Sequence, residues 1–354
     1  MSVVFIGPEL KPITGQSLSF DIIINNISLN KYVIRYGGSN SFSVAISSLM
    51  VFFKLVSLLI RTNEYKVVYL TTSRTTLGFL RDSLIIIGAS LFKCRVVNHL
   101  HGADFVRFRS GKNKLFIAFI DFIYRKIDTS IVLLPKMREQ YSVYSDMNVE
   151  FVANTCNISV DSYASKDNKR LLFLSNVMYS KGILHLIKAV DLLNSSGYQF
   201  TLDIAGVVFG DDYLSEVEMR NRFQASICDK NYIKYHGPVT GDAKKYLLEK
   251  SAFFCLPTFY KTEALPISII EAMKAGCIIV TSDHNYLGDI VTSSNGAVLS
   301  CCDPERIKNE LLRLSENVEV MRNISTHNVL EFEREYSLQS HVRKIEYILN
   351  KEVL

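Results

Sequence analysis

The feature that most constrains the fold is a series of short apolar segments separated by helix-length stretches, and the series occurs twice. The first series comprises residues 3–7, 66–70, 94–102 and 130–135. The second comprises residues 170–175, 200–206, 233–237, 252–257 and 277–281. Strands that alternate with helices predict a parallel sheet with crossover helices. Ligands of such sheets bind at the carboxyl ends of the strands, so the loops after Ile6 and Leu100 are candidate site loops.

The length of 354 residues fits two domains. We take the short polar segment 162–169 as the linker between them. The predicted domains are 1–165 and 166–335, and a C-terminal helix within 336–354 is expected to pack back on the first domain. That helix has Val342, Ile345 and Ile348 at helical spacing.

Charge and cysteine usage exclude several classes of protein. The net charge of +5 is too mild to imply a nucleic-acid partner, whereas an anionic substrate or membrane surface fits. The seven cysteines contain no C-x-x-C pair, so neither a zinc site nor a disulfide framework is expected, and a reducing cytoplasm fits best. The N-terminus lacks the basic region and cleavage site of a signal peptide.

One apolar segment, 44–60, must be weighed as a membrane span. It contains a central Lys54, which would cost about 2.5–3.5 kcal/mol inside a bilayer. A buried or membrane-facing helix is the better interpretation. Basic residues within 107–114 lie beside apolar helices, which favours contact with an anionic bilayer on the cytoplasmic side; ordinary crossover helices with solvated charges remain the alternative.

The strongest motif is a pair of glutamates, Glu263 and Glu271, with seven residues between them. Glu263 falls in a loop after an apolar strand, and Glu271 lies among good helix formers. A helix N-terminus that follows such a loop presents backbone N–H groups to an anion such as a diphosphate. A carboxylate further along the helix could accept hydrogen bonds from sugar hydroxyls.

This block resembles the E-x7-E motif of family 4 glycosyltransferases. The resemblance implies the GT-B fold, in which two Rossmann-like, doubly wound α/β domains face a central cleft. It implies that Glu263 contacts the transferred sugar, that Glu271 contacts the nucleotide ribose, and that the backbone of Ala264 and Leu265 approaches the donor. It also implies a retaining reaction without a metal or other cofactor, and we find no Asp-x-Asp motif.

Two further segments carry the resemblance. The segment 173–183 resembles the family's strand–loop–helix, in which Lys181 would pair with the donor phosphates. Asn176, which stands where many members have arginine, is a candidate donor contact that can donate a hydrogen bond but carries no charge. His101-Gly102 resembles the family's His-Gly turn, where His101 would hydrogen-bond the donor sugar or stabilise charge near its C1. We place His99 in the core, with its ring turned away from His101.

The loop 7–17 occupies the place of the family's first glycine-rich loop. There Gly15 would let the backbone approach the diphosphate. Three residues of the loop, Glu9, Lys11 and Gln16, are candidate acceptor contacts. The first domain would then bind the acceptor and the second the nucleotide sugar.

The resemblance implies an enzyme that moves a sugar from a UDP- or GDP-sugar to a glycan, which we expect to be lipid-linked, in bacterial O-antigen or capsule synthesis. We expect a cytoplasmic protein that can be peripheral on the inner face of the plasma membrane. Two alternatives stay open: a non-catalytic glycosyltransferase-like partner, which the Ser175-Asn176 departure favours, and a nucleotide-sugar epimerase of the same architecture. A nicotinamide dehydrogenase fits least, because neither domain has the G-x-G-x-x-G fingerprint.

Overall fold

The computed structural model describes residues 2–11, 13–38, 41–62, 64–162 and 165–351. The strands in chain order are β1 Ser2–Pro8, β2 Asn30–Tyr36, β3 Tyr65–Thr71, β4 Arg95–Leu100, β5 Thr129–Val132, β6 Asn148–Phe151, β7 Asp167–Leu174, β8 Thr201–Ala205, β9 Ile233–Tyr235, β10 Ser251–Leu256, β11 Ile278–Ser282 and β12 Gly296–Leu299.

The α-helices in chain order are α1 Gly15–Asn26, α2 Ser41–Arg61, α3 Thr76–Leu91, α4 Phe105–Ser110, α5 Lys114–Tyr124, α6 Ile183–Ser195, α7 Glu216–Ile227, α8 Gly241–Lys250, α9 Ile267–Lys274, α10 Pro304–Ser315, α11 Val318–Glu331 and α12 Leu338–Asn350. Short 3-10 helices cover Pro135–Tyr141, Tyr179–Lys181 and Leu287–Asp289, and a π-helical turn covers Phe332–Tyr336.

The chain divides into two compact units, and each contains one sheet. Unit 1 comprises Met1–Thr155 with Leu338–Leu354, and unit 2 comprises Cys156–Ser337. The division between the units therefore falls several residues before the expected linker. The segment before β7, which begins at Asp167, already bonds to unit 2: the Ser162 hydroxyl donates to the Lys274 carbonyl at 2.8 Å. Linker residues 163 and 164 and helix residues 352–354 lie outside the described part of the chain.

Unit 1 contains a parallel sheet in the order β2-β1-β3-β4-β5-β6. One face of this sheet packs on α1 and α12, where a shared core includes Phe5, Phe20, Tyr69, Ile345 and Leu349. The chain moves outward from β1 to β2 and then crosses back to β3. Since parallel crossovers are right-handed, α1 lies on one face of the sheet and the later helices α2, α3 and α5 lie on the other.

Unit 2 contains a second parallel sheet in the order β12-β11-β10-β7-β8-β9. The chain runs outward from β7 to β9 and then returns to β10 on the other side of β7. The strand order therefore reverses between β7 and β10. This reversal is the topological switch point of a doubly wound sheet, the place where ligands bind.

The expected α/β, doubly wound architecture is confirmed for each unit. Three strands were not predicted, β2, β6 and β12. Two of them, β6 and β12, have only four residues each, and all three lie at sheet edges. A short edge strand has too few residues to establish a periodic pattern, and it does not need the continuous apolar run of a central strand.

Candidate functional site

The switch point of unit 2 brings the two strongest motif segments side by side. The loop after β7 leads to Lys181, and the loop after β10 leads to Glu263. Because β7 and β10 are paired in parallel, their carboxyl ends meet at the same edge of the sheet. Lys181 and Glu263, which are 82 residues apart in the sequence, are thereby brought into direct contact.

Lys181 and Glu263 form a hydrogen-bonded ion pair through Nζ and Oε2. Both residues are 9% exposed. The Thr258 hydroxyl also lies 3.3 Å from Glu263 Oε2, and the Lys181 ammonium lies 4.7 Å from the ring centre of Tyr260. The lysine expected to meet donor phosphates is thus paired with the glutamate expected to meet the donor sugar.

The loop that carries Glu263 is held on two sides. The Phe259 amide donates to the Ser180 carbonyl at 2.7 Å, which ties the loop to the 3-10 turn before α6. The Asn285 side-chain amide donates to the Glu263 carbonyl at 2.8 Å, which ties it to the loop after β11. A carboxylate on a loop with both anchors is held in place before any ligand arrives.

The glycine after Lys181 is required by close packing. Gly182 has a φ of +76°, and a Cβ placed there would lie 2.0 Å from the Pro257 carbonyl oxygen. Only glycine combines this left-handed conformation with so close an approach. The Lys-Gly pair of the sequence motif therefore lets the loops after β7 and β10 touch.

The second motif glutamate, Glu271, lies within α9 and is 4% exposed. Its Oε1 lies 2.5 Å from Nζ of Lys244, a residue of α8 that the sequence reasoning did not identify. Burial raises the pKa of Glu271, while the Lys244 ammonium opposes that rise. Both motif glutamates are thus buried, and each is paired with one lysine.

The N-terminus of α9 has no side-chain cap. Its cap residue, Pro266, provides no side-chain hydrogen bond to the first-turn N–H groups. The preceding Ala264 and Leu265 are each 3% exposed, so their backbone is buried together with their side chains, and the approach of that backbone to a donor stays a prediction. First-turn amides and the positive end of the helix dipole favour a phosphate group here.

The position of Asn176 adds no charge to this region. Asn176 is exposed in the loop after β7, and its neighbour Ser175 donates its amide to the Ala205 carbonyl at 3.1 Å. Lys181 and Lys244 are therefore the cations that the structure brings to the two glutamates. No sequence signal marks Lys244, because its relation to Glu271 exists only between helices.

In unit 1, His101 follows β4 and its pKa is lowered to about 3, first by burial and then by the charge of Arg74. An uncharged imidazole can exchange hydrogen bonds with a sugar, but it supplies no positive charge. The expectation that His99 points away from His101 is wrong. Their ring centroids lie 4.1 Å apart, because residues two apart on an extended chain share a face. His99 is buried, and its Nδ1 lies 2.7 Å from the Tyr69 hydroxyl.

Arg74 is a second residue that sequence reasoning missed. A Cβ on Gly102 would lie 2.4 Å from the Arg74 guanidinium, so the glycine admits this side chain. Arg74 Nε also pairs with Asp104 at 2.6 Å. The His-Gly turn of unit 1 therefore has a neutral histidine, whose ring nitrogens are buried, beside a paired arginine.

The first loop of unit 1 ends in an ordinary helix cap. Thr14 and Ser17 form a reciprocal capping box at the start of α1. A Cβ on Gly15 would meet nothing within 4 Å, so this glycine is open to solvent. Glu9 and Lys11 are exposed and Gln16 is half-buried; Pro12 of the same loop lies outside the described residues.

The described residues include no group of three His, Cys, Asp or Glu side chains that could hold a metal ion. The adjacent Asp211 and Asp212 have other partners. Asp211 accepts the Ser180 amide at 2.7 Å, and Asp212 pairs with Lys261 at 2.5 Å. Asp211 therefore orders the turn that presents Lys181.

Comparison with known proteins finds a family match for most of unit 2. Residues 157–328 match the model of the family described as "Glycosyl transferases group 1". The chain is 26% identical over 345 residues to an uncharacterized glycosyltransferase of Methanocaldococcus jannaschii, which covers 89% of this chain and 82% of that protein.

Solved structures share the fold. Anabaena HepE in complex with UDP matches with a TM-score of 0.76 and 13% identity, covering 99% of both chains. Sucrose-phosphate synthase from Thermosynechococcus elongatus matches with a TM-score of 0.75 and 12% identity over 98% of both chains. The matched family segment contains Lys181, Lys244, Glu263 and Glu271, so the protein carries a group 1 glycosyltransferase domain and shares the GT-B fold of these structures.

Proposed function

We propose that this glycosyltransferase moves a sugar from a UDP- or GDP-sugar to a glycan acceptor, with retention of configuration at the sugar C1 and without a metal ion. The observation that carries the proposal is the pair of buried Glu–Lys contacts in unit 2. Two carboxylates are buried beside the switch point of unit 2, and each is paired with a lysine. Because buried ion pairs contribute little net stability, a role in ligand binding accounts for them better than a role in folding.

The donor site follows from the surroundings of these pairs. The diphosphate is expected at the uncapped N-terminus of α9, where backbone amides and Lys181 would balance its charge. Glu271 accepts hydrogen bonds from the ribose hydroxyls, and Glu263 accepts them from the transferred sugar. Anabaena HepE, which shares the fold, binds UDP and UDP-glucose, and this supports the choice of a nucleotide sugar.

Donor binding changes the partner of Lys181. Its ammonium pairs with Glu263 in the structure, and we expect it to turn toward the diphosphate when the donor binds. Glu263 is thereby released to accept hydrogen bonds from sugar hydroxyls. After the exchange the ammonium meets phosphate charge, and the carboxylate is satisfied by hydrogen bonds instead of by a counter-ion.

In the reaction, the bond between the sugar C1 and the diphosphate oxygen breaks while the acceptor oxygen bonds to C1 on the same face. The proton of the acceptor hydroxyl passes to the leaving phosphate, so no protein base is needed. Catalysis then consists of positioning and of stabilising the leaving group, the roles of Lys181 and the α9 amides. Neutral His101 exchanges a hydrogen bond with the donor sugar.

The acceptor is proposed to be a lipid-linked glycan in bacterial surface polysaccharide synthesis, such as O-antigen or capsule. It is reached at the cytoplasmic face of the plasma membrane, where the protein is peripheral. Contacts to the acceptor come from unit 1, with Glu9, Lys11 and Gln16 as candidates. The exposure of Glu9 and Lys11 at the first loop, with Gln16 half-buried beside them, supports this assignment.

Calorimetry of the purified protein with UDP, GDP, ADP and CMP, with and without EDTA, tests the donor site. We expect one nucleoside diphosphate to bind regardless of EDTA, and we expect Glu271→Ala to lose that binding. Glu316→Ala, which changes an exposed glutamate of unit 2, is the control and should bind as wild type. If no nucleotide binds, or if Glu271→Ala keeps full affinity, the ribose assignment is wrong.

A further inference from the structure

Helix α2 has two apolar stripes on opposite sides. Its buried residues are Ser48, Val51, Leu55 and Leu59. The exposed apolar residues of the same helix are Ile46, Leu49, Met50, Phe53 and Ile60. At about 100° per residue, the exposed set falls within roughly 100° of arc, opposite the buried set. Phe53 is 64% and Ile60 68% exposed, so one stripe packs on the protein and the other faces outward.

Within the described residues, the segment Ser43–Arg61 of α2 is the helix with the length and composition of a membrane span, and 22% of it is buried. Its inner stripe lies in the helical layer that covers the sheet. Phe52, which borders this stripe, would lie 3.1 Å from a Cβ on Gly88 of α3. A spanning helix would have to leave this packing. A surface helix keeps its inner stripe on the protein and has its outer stripe free for another apolar phase.

The neighbouring helices extend this outer face. Phe79 of α3 contacts Phe116 and Phe119 of α5 with ring centroids 5.5 Å apart. Leu115 and Phe122 of α5 are nevertheless exposed, at 86% and 55%. Because α2, α3 and α5 lie on the same face of the sheet, their exposed apolar side chains belong to one side of unit 1.

The segment of the chain that carries this apolar face is rich in positive charge. Residues 41–126 contain thirteen Lys and Arg but four Asp and Glu, whereas the whole chain has a net charge of +5. Three of the four carboxylates are already paired with arginine, in Arg81–Asp82, Arg74–Asp104 and Arg109–Asp121. Exposed cations of the described helices and their loops include Lys54, Arg61, Lys93, Arg107, Lys114 and Arg125.

We propose that the outward faces of α2, α3 and α5, together with the cations Lys54, Arg107 and Lys114, form a docking surface for an anionic lipid bilayer. The apolar side chains enter the headgroup region, and the cations meet lipid phosphates. An apolar face bordered by one sign of charge fits an anionic interface. A second copy of this chain would instead set cations against cations, which opposes self-association.

The docking surface names the residues behind the proposed peripheral location of the protein. This proposal does not depend on the proposed donor site. Nucleotide binding belongs to unit 2, and vesicle binding is measured without any donor or acceptor. Failure of one therefore leaves the other intact.

Flotation of the full chain with vesicles tests the proposal. We expect binding to vesicles that contain phosphatidylglycerol and much weaker binding to pure phosphatidylcholine. The variant Met50→Ser/Phe53→Ser should bind at least about tenfold more weakly because exposed apolar area is lost. The variant Arg107→Ser/Lys114→Gln should bind about 30-fold more weakly at low salt, since each cation near a bilayer contributes about a factor of five.

Matched controls change exposed residues of unit 2. Val217→Ser/Leu330→Ser removes comparable apolar surface, and Lys234→Gln removes a cation; both should bind vesicles as wild type. Unchanged melting temperature and nucleotide affinity would show that the unit 1 variants are folded. The proposal is overturned if these variants float like wild type, if phosphatidylcholine binds equally well, or if alkaline carbonate fails to release the protein from membranes. It is likewise overturned if wild type binds no vesicle. One form of that result is a dimer in solution that Met50→Ser/Phe53→Ser dissociates, which would make the apolar face a contact between two copies of the chain.

Discussion

Replacing Lys244 with methionine isolates the role of the buried Glu271 pair. The substitution keeps the side-chain length and removes the charge that lies 2.5 Å from Glu271 Oε1. Glu271 is then a buried carboxylate without its counter-ion. Breaking a buried pair in this way costs about 3–5 kcal/mol, and the 20% exposure of the Lys244 side chain reduces the cost to about 2–3 kcal/mol. For a domain of this size, the loss corresponds to a fall of about 4–12 °C in melting temperature.

The effect of Lys244→Met depends on pH. Burial already raises the pKa of Glu271 in the folded protein, and removing the ammonium raises this pKa further. A folded-state pKa above the unfolded value means that the native state binds more protons, so stability falls as pH rises from the unfolded pKa through the folded one. The variant should therefore be close to wild type near pH 5 and clearly less stable at pH 8.

Nucleotide binding should show the opposite trend in the same variant. Ribose hydroxyls donate to the ionised form of Glu271, so the affinity of Lys244→Met for the nucleotide should rise with pH as Glu271 ionises. Wild-type affinity should vary much less over this range. Two trends of opposite sign in one variant are not expected from a general packing defect.

The assays are thermal unfolding and calorimetry with the bound nucleotide, each at pH 5 and pH 8. Lys245→Met is the matched control, because Lys245 is the next residue of α8 and its distance to Glu249 is 3.8 Å in a more exposed pair. Adding Glu271→Gln to Lys244→Met should restore stability at pH 8 but not nucleotide affinity. Equal stability of the two lysine variants at pH 8 would refute the reasoning.

Three further predictions use other parts of the two units. Glu263→Ala should abolish sugar transfer while nucleotide affinity in calorimetry stays within a few-fold of wild type; a fully active variant would contradict the motif assignment. Gly182→Ala should lower stability by more than about 2 kcal/mol in urea unfolding, because its Cβ would lie 2.0 Å from a carbonyl oxygen, whereas Gly197→Ala, with a similar positive φ but open space, should cost about 1 kcal/mol. Burial lowers the pKa of His341 to about 4, so the free energy of unfolding of unit 1 should fall by up to about 3 kcal/mol as pH falls from 6.5 to 4. His341→Asn should reduce this dependence on pH, whereas His327→Gln, at a more exposed side chain, should not.

Much of unit 2 could be predicted from local pattern. The central strands are long apolar runs, and Gly182 marks a tight turn next to Lys181, so strands and loops were placed within a few residues of their observed bounds. Edge strands such as β12 were missed because they are short. The orientation predicted for His99 is wrong for a local reason: residues two apart on an extended chain share a face, so the rings of His99 and His101 lie on the same side.

The sequence by itself determined the class of fold and the residues that carry the family resemblance. Alternating apolar segments require parallel sheets, and the E-x7-E spacing places Glu263 in a loop and Glu271 in a helix. These are local properties of the chain, which depend on residues a few positions apart.

Only the tertiary structure decided which lysine meets which glutamate. Lys181 reaches Glu263 because β7 and β10 are neighbours at the switch point, and Lys244 reaches Glu271 because two helices pack together. The charge state of each glutamate depends on burial and on that partner, and both arise only when distant segments are brought together. No pattern within one segment contains this information.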